Sequence, residues 1–217
     1  MDKIELLSSL ADEIRVCPLC RLAETRTYAV PGEGDPRASI MFVGEGPGQQ
    51  EDESGRPFVG RSGQLLTEEL RKIGIARDQI FITNIVKCRP PGNRDPLPDE
   101  ILACNDWLSA QIALVEPKFI VPVGAPSLRT LVSPKLGITK ARSKVYRKDG
   151  ILFIPILHPA AALRNPATMD GFREDIANLK DFLFRDIEDS EITPIEEPKA
   201  APSGSDETPD GGTLSLF

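Results

Sequence analysis

Residues 39–48 read SIMFVGEGPG, and this stretch decides the fold. Its first half is a short apolar run that suits a buried β-strand, and its second half is a glycine-rich loop. Further apolar runs follow at residues 80–86, 119–123 and 151–157, and segments with helical spacing separate them. Strands that alternate with helices favour a parallel sheet covered on both faces. We therefore expect an α/β protein.

The predicted helices account for much of the remaining chain. They are expected at residues 2–15, 64–73, 99–115, 125–132 and 172–184, and residues 145–146 are expected to form a hairpin with 151–157. In parallel sheets, ligands bind outside the carboxyl ends of the strands. Gly44, Asn84 and His158 each lie at or just beyond the end of a predicted strand. The sequence therefore predicts a binding site at that edge of the sheet.

The acidic residues are concentrated near the end of the sequence. The chain carries 33 acids and 26 bases, a net charge of −7. Residues 188–217 hold eight of those acids and one base, which leaves 25 of each in residues 1–187. Prolines, serines and glycines accompany the acids, a composition typical of disorder. We expect a folded domain over 1–187 and a disordered acidic tail over 188–217.

Six basic residues lie close together with no acid among them. They are Lys135, Lys140, Arg142, Lys144, Arg147 and Lys148. Such a cluster suits a phosphate backbone, and a solvated hairpin or loop accounts for it equally well.

The sequence indicates a cytoplasmic, nucleoid-associated protein. No apolar run approaches the roughly 20 residues that span a membrane. The first residues lack the basic and apolar regions of a secretion signal. Cytosolic thiols stay reduced, so the four cysteines are expected to bind metal rather than to form disulfides.

All four cysteines of the chain belong to two groups. Cys17 and Cys20 form a C-x-x-C pair, and 15 residues separate Cys88 from Cys104. Zinc and a [4Fe–4S] cluster both accept four thiolates, and the spacing does not decide between them. The wide spacing of the second pair modestly favours the [4Fe–4S] cluster over zinc. Thiol redox catalysis is a weaker reading, because no thioredoxin-like strand precedes the first pair.

Four short strings then identify a family. They are GEGPG at 44–48, GRPFVG at 55–60, TNIVKCRPP at 83–91, and HP at 158–159 followed by ALR at 162–164. The first is not a triphosphate-binding loop, because it lacks the Gly-Lys-Ser/Thr ending. Together with the cysteines, the strings resemble the family 4 uracil-DNA glycosylases, the iron–sulfur branch of that superfamily, over roughly Val16 to Phe184. The resemblance implies a three-layer α/β/α sandwich and a [4Fe–4S] cluster on Cys17, Cys20, Cys88 and Cys104.

The resemblance also implies roles for the residues at the sheet edge. Uracil flipped out of DNA would stack on Phe58, pair with Asn84 and receive a hydrogen bond from His158. Gly44 and Gly46 would line the same pocket. Glu45 would hold the attacking water, face the positive charge of the sugar or serve a structural role. Glu51 is a candidate for excluding the methyl group of thymine. Leu163 is the candidate DNA wedge, and Arg164 is expected on a phosphate.

The expected activity is hydrolysis of the N-glycosidic bond of deoxyuridine in single- or double-stranded DNA, within base excision repair. Two alternatives are a non-catalytic sensor of damaged DNA and a broader glycosylase for hypoxanthine or xanthine. A related branch traps DNA covalently through a histidine in an inserted loop, and residues 90–98 contain none. A monomer is expected.

The last five residues, Thr213–Phe217, are an apolar cluster that follows two glycines. They resemble the pentapeptide with which bacterial repair and replication proteins dock into the sliding clamp. That peptide prefers glutamine at its first position, where this chain has Thr213. Two interpretations are open: a clamp-binding tail and an incidental apolar end.

Overall fold

A computed structural model describes residues 2–195 as a six-stranded sheet with helices on both faces. The strands are β1 (Glu33–Gly34), β2 (Ile40–Gly44), β3 (Phe81–Asn84), β4 (Phe119–Pro122), β5 (Tyr146–Lys148) and β6 (Ile151–Phe153). The helices are α1 (Lys3–Val16), α2 (Gln49–Ser54), α3 (Arg61–Lys72), α4 (Pro98–Val115), α5 (Ala125–Leu131), α6 (Ile138–Ala141), α7 (Pro159–Ala162) and α8 (Pro166–Leu183). The expected α/β/α sandwich is confirmed.

The strand order is β1-β3-β2-β4-β6-β5. The four central strands are parallel, and the two edge strands pair antiparallel with their neighbours. The carboxyl ends of β2 and β3 coincide, because Gly44 lies opposite Asn84 in the register. A bridge between Val123 and Ile156 extends the parallel pairing beyond β4 and β6. The chain therefore delivers His158 to the same edge of the sheet.

Alternation along β2 shows how the two layers form. Phe42 faces one side, in a buried cluster with residues of α3 and α8. Met41 and Val43 face the other side, in a cluster with residues of α1, α4 and α5. All three side chains are fully buried, and each contributes about 1.5–3 kcal/mol through burial.

Residues 188–195 differ from the sequence-based expectation, since they belong to the packed domain rather than to a disordered tail. Ile192 bridges to Val145, and the amide of Thr193 donates to the Val145 carbonyl at 2.7 Å. Ile192 and Ile195 pack against the buried clusters. The acidic composition of this stretch conceals two isoleucines that cover the edge of the sheet next to β5. Thr213–Phe217, the candidate clamp peptide, lies outside the described residues.

Across residues 2–195, no helix combines the length and the apolar character that crossing a membrane requires.

Candidate active site

A cleft of about 750 Å³ opens at the carboxyl edge of the sheet. The loops that follow β2 and β3 and the segment after β6 contribute its walls. Eight of the sequence-predicted residues line it: Glu45, Gly46, Glu51, Phe58, Asn84, His158, Leu163 and Arg164. The structure thus brings together residues that are up to 119 positions apart in the chain.

Gly44 lies behind the cleft wall, in contact with two of these residues. A Cβ atom at Gly44 would lie 2.5 Å from Cζ of Phe58 and would also overlap Oδ1 of Asn84. The buried Asn84 side chain and the Phe58 ring therefore occupy the space that any larger residue at position 44 would need. Position 44 must therefore be glycine for Asn84 and Phe58 to pack as they do.

His158 is held as a neutral imidazole with a defined tautomer. Burial, together with the positive charge of Arg164, lowers its pKa to about 4. Its Nδ1 accepts a hydrogen bond of 3.1 Å from the amide of Ala160. A neutral imidazole that accepts at Nδ1 carries its proton on Nε2. His158 therefore lines the cleft as an Nε2–H donor that keeps this form throughout the neutral range.

The ring of His158 faces Phe58 across the cleft, with 6.3 Å between the ring centroids and 31° between the planes. Gly124, with a φ of +91°, lies behind the imidazole, and a Cβ there would stand 3.1 Å from that of His158. The backbone at Gly124 thus packs closely against the histidine, and Gly124 does not line the cleft.

Glu45 is half-buried in the wall of the cleft. Burial raises its pKa to about 7, and the negative charge of Asp95 adds to the effect. A carboxyl group with this pKa exchanges its proton near neutral pH. Glu45 can therefore act as a base or hold a water molecule in its charged form.

Glu51 has a task that the sequence did not reveal. Its Oε1 accepts hydrogen bonds from the amides of Val59 at 2.9 Å and Gly60 at 2.7 Å. The buried carboxylate therefore fixes the loop that carries Phe58, while Glu51 also lines the cleft. Its expected role in excluding the thymine methyl stays a prediction.

Asn84 is buried, and a fully buried lysine supports its main chain. Nζ of Lys87 donates to the Asn84 carbonyl at 2.7 Å, to Oγ1 of Thr83 at 2.7 Å and to Oε1 of Gln111 at 2.6 Å. Three acceptors match the three hydrogens of an ammonium group. Sequence reasoning treated Lys87 as part of a motif and assigned it no role.

Leu163 is 39% exposed at the mouth of the cleft, directly after α7, and Arg164 follows it. An exposed apolar side chain beside a cation suits a wedge into stacked bases next to a phosphate contact. The sequence analysis missed several other lining residues: Gln49 and Gln50 at the start of α2, Arg61 and Ser62 at the start of α3, and Asn93, Arg94 and Asp95 between β3 and α4.

The basic segment 135–148 does not line the cleft. Arg142 pairs with Glu174 and Asp175, and Arg147 pairs with Asp189. These acids come from α8 and from the segment that follows it, so no reading of the local sequence could reveal them. For both arginines the structural reading, rather than phosphate binding, is supported.

Cys20, Cys88 and Cys104 belong to one cluster with residues of α1 and α4, Cys17 directly follows α1, and all four are free thiols. Burial raises the pKa of Cys104 to about 11, and Cys88 and Cys20 contribute to the rise. Three N–H groups donate to these sulfurs: Trp107 Nε1 to Cys17 at 3.2 Å, Arg26 to Cys88 at 3.1 Å and the Lys87 amide to Cys104 at 3.2 Å. Within residues 2–195, no group of three or more Cys, His, Asp or Glu side chains is spaced to hold a metal ion.

Comparison with known proteins shows the family. The family model of the uracil DNA glycosylase superfamily matches residues 31–180, so the chain belongs to that superfamily.

Three relatives place it more closely. The chain is 47% identical to the type-4 uracil-DNA glycosylase of Sulfurisphaera tokodaii, over 83% of this chain and 86% of the relative. It is 46% identical to that of Saccharolobus solfataricus, over 84% and 88%. It is 44% identical to that of Thermotoga maritima, over 84% and 97%. Within the superfamily, the chain is a member of the type-4 uracil-DNA glycosylases.

Proposed function

We propose that this protein is a uracil-DNA glycosylase that hydrolyses the N-glycosidic bond of deoxyuridine in DNA. The products are free uracil and an abasic site, the first step of base excision repair. The observation that carries the proposal is the position of a neutral imidazole donor, a buried amide and an aromatic ring in one cleft, on His158, Asn84 and Phe58.

The cleft reads the base after the nucleotide has left the helix. A base inside a duplex is out of reach, so the target nucleotide must be flipped into the cleft. The ring of Phe58 stacks on the base. The Asn84 side chain accepts from uracil N3–H and donates to O4, a pattern that cytosine reverses. Cytosine would leave buried polar groups of the cleft without partners. A site of this kind therefore rejects cytosine strongly.

His158 stabilises the departing base. As the glycosidic bond breaks, its electron pair goes to uracil N1, and the negative charge spreads to O2. The Nε2–H of His158 donates to that oxygen without gaining a charge of its own, because the imidazole starts neutral. A preorganised donor of this kind contributes about 3–4 kcal/mol to transition-state stabilisation.

Glu45 acts on the sugar side of the bond. A water oxygen attacks C1′ of the deoxyribose, and the proton that it loses needs an acceptor. The Glu45 carboxylate holds that water or faces the positive charge of the sugar, and it lines the same cleft. Leu163 fills the space left in the helix, and Arg164 contacts a phosphate.

We further propose that Cys17, Cys20, Cys88 and Cys104 hold a [4Fe–4S] cluster. Four free thiols, buried or half-buried, with N–H donors to three of them, fit the donor set of such a cluster. A cluster takes one thiolate per iron, so its four sulfurs need not converge on one point. When bound, it supplies iron–thiolate bonds that tie the segment after α1 to the loop after β3 and to α4.

Two expectations extend the proposal beyond the catalytic domain. We propose a cytoplasmic, nucleoid-associated location, because excision of uracil from chromosomal DNA needs access to that DNA. The segment Thr213–Phe217 would tether the enzyme to the sliding clamp. Deletion of those five residues should abolish capture by immobilised clamp and leave cleavage of a short oligonucleotide unchanged. Equal clamp capture by the deleted and full-length chains would contradict the tether.

The activity is tested with oligonucleotides that carry one uracil, thymine or hypoxanthine, each single- and double-stranded. Anaerobically purified, iron-loaded protein should release free uracil and no thymine. Release of hypoxanthine at a similar rate would show a broader glycosylase. Tight binding to uracil-containing DNA with no release of base would contradict the enzyme and favour a damage sensor.

A further inference from the structure

Phe58 has a backbone conformation that residues with side chains rarely adopt. Its φ is +50°, in the left-handed region, and its side chain is buried. The Cβ atom makes this region unfavourable for a residue other than glycine, so surrounding contacts must hold it there. The conformation matters because it directs the ring into the cleft.

Arg77 supplies contacts of that kind from outside the cleft. Its guanidinium donates to the carbonyl of Phe58 at 3.2 Å and to the carbonyl of Pro57. Arg77 belongs to a short 3₁₀ helix, Arg77–Gln79, that leads into β3. It is absent from the residues that line the catalytic cleft, and it lines a second, shallower depression that Phe58 also borders.

Glu33 of β1 fixes the guanidinium in turn. Its Oε1 accepts from Nε of Arg77 at 3.0 Å and from a terminal nitrogen at 2.9 Å. Both side chains are about three-quarters buried, which makes this pair less screened than one on the open surface. A planar guanidinium held by two bonds can present its remaining N–H groups in a fixed direction.

Packing on the other side completes the arrangement. A Cβ atom at Gly63 would overlap the main chain of Phe58, so α3 approaches this backbone as closely as glycine allows. Glu51 holds the next two amides of the same loop, those of Val59 and Gly60. The carbonyls of Pro57 and Phe58 are therefore bound by Arg77, and the amides of Val59 and Gly60 are bound by Glu51.

We propose that Arg77 is a positioning residue for uracil recognition, which acts by holding the Phe58 backbone in its left-handed conformation. The inference rests on the proposed function, since it assigns the ring of Phe58 to stacking on the flipped base. Arg77 itself touches no part of the substrate. Loss of the Arg77 side chain should therefore weaken uracil recognition in the same way as loss of the Phe58 ring.

A double-mutant cycle on the full chain tests this. The variants are Arg77→Met, Phe58→Ala and the two combined, assayed for uracil release under single-turnover conditions. Stacking of a base on an aromatic ring is worth about 5- to 150-fold in affinity. Arg77→Met should lower kcat/KM by about tenfold in the wild-type background and by less than about twofold in the Phe58→Ala background. A merely structural defect would instead lower activity equally in both backgrounds.

Arg56 offers a matched control. It pairs with the same carboxylate of Glu33, at 2.8 and 3.1 Å, but it is exposed, and within the described residues its side chain donates only to Glu33. Arg56→Met removes an ion pair to Glu33 without removing a donor to the Phe58 loop. Its kcat/KM should stay within about twofold of wild type. A loss equal to that of Arg77→Met would overturn the proposal.

Hydrogen exchange provides a readout that does not depend on catalysis. In protein without DNA, the amides of Val59 and Gly60 should exchange at least about tenfold faster in Arg77→Met than in Arg56→Met. Equal exchange in the two variants would overturn the positioning role, even if the wild-type protein released no uracil. Absence of release by wild type, with faster exchange in Arg77→Met, would contradict the proposed function and retain the role of Arg77.

Discussion

The ammonium group of Lys87 donates a 2.7 Å hydrogen bond to the backbone carbonyl of Asn84. The backbone amide of the same lysine donates to the sulfur of Cys104 at 3.2 Å. One residue therefore contacts both the strand end that presents the uracil-reading amide and a proposed cluster ligand. Lys87 thus links the segment that carries Cys88 to the strand end that carries Asn84.

A similar arrangement supports His158. The buried carboxylate of Asp175 accepts from the amide of Leu157, the residue before the histidine, at 2.8 Å, and Arg142 and Ser143 hold its other oxygen. An ionisable side chain thus binds the main chain at or next to each of the three proposed base contacts. Burial lowers the pKa of Lys87 to about 7, so this side chain is only partly charged at neutral pH. The cleft is preorganised by Lys87, Arg77 and Asp175, none of which lines it.

Replacement of Lys87 by methionine should weaken both stability and base recognition. The substitution keeps the length of the side chain and removes the donor to three acceptors. Within residues 2–195, the Asn84 carbonyl accepts from no other side chain. An unsatisfied buried polar group costs about 1–3 kcal/mol. Denaturant unfolding should show a loss of at least about 2 kcal/mol, together with a lower kcat/KM for uracil. Lys180→Met, on the exposed face of α8, is the control and should change neither quantity.

Asn84→Ala should reduce selectivity rather than abolish binding to DNA. Two hydrogen bonds to the uracil edge are lost, each worth about 0.5–1.5 kcal/mol, so kcat/KM for uracil should fall by about 5- to 150-fold. The kcat/KM for cytosine should not fall in this variant, because the hydrogen-bonding pattern of the wild-type amide does not match cytosine. Competition between the two substrates gives the ratio directly. Asn105→Ala, an exposed amide on α4, should leave the ratio unchanged.

The pKa of His158 can be measured without ambiguity, because the chain has a single histidine. Its imidazole resonances should not titrate between pH 5 and 8, since burial and then Arg164 lower the pKa to about 4. Arg164→Gln should raise the pKa toward 6.5. The unfolded chain binds this proton near pH 6.5 and the folded protein only near pH 4, so His158 destabilises the fold progressively as the pH falls through that window. A titration with a midpoint near 6.5 in wild type would contradict the buried neutral donor.

The rate of uracil release should rise with pH through about 7. Glu45 is needed as a carboxylate, and burial, with Asp95 second, raises its pKa to about 7, so the group is largely protonated below that value. Asp95→Asn removes the repulsive charge and should move the rise to lower pH without lowering the plateau. Glu45→Gln should remove the pH dependence along with most of the rate. A rise that stays in place in Asp95→Asn would show that another group controls the profile.

Trp107→Phe should change the redox behaviour of a cluster and leave its assembly intact. The indole Nε1–H donates to the sulfur of Cys17 at 3.2 Å, and hydrogen bonds to cluster sulfurs favour the reduced, more negative state. Its removal should lower the reduction potential, measured by protein-film voltammetry, with iron and sulfide still at four each per chain. Cys104→Ser should instead lose iron. Zinc in place of iron in anaerobically purified wild-type protein would contradict the cluster.

Much of this protein can be predicted from local patterns. Alternating apolar runs and helical stripes locate the long helices and the four parallel strands. The rule for sheet edges places Gly44, Asn84 and His158 at one edge of the sheet from the sequence alone. The short elements α2, α6 and α7 escape this reasoning, because four to six residues carry too little periodicity to identify a helix.

The sequence by itself determined the α/β class, the position of the cleft and eight of the residues that line it, because those depend on strand order and on motifs contiguous in the chain. Only the tertiary structure decided which protonation state His158 holds, which groups brace Phe58 and Asn84, and that residues 188–195 pack on the domain. These features depend on burial and on partners distant in sequence, such as Arg77 for Phe58 or Glu174 for Arg142. Burial and long-range hydrogen bonds arise only when the layers of the sandwich come together, so no local pattern encodes them.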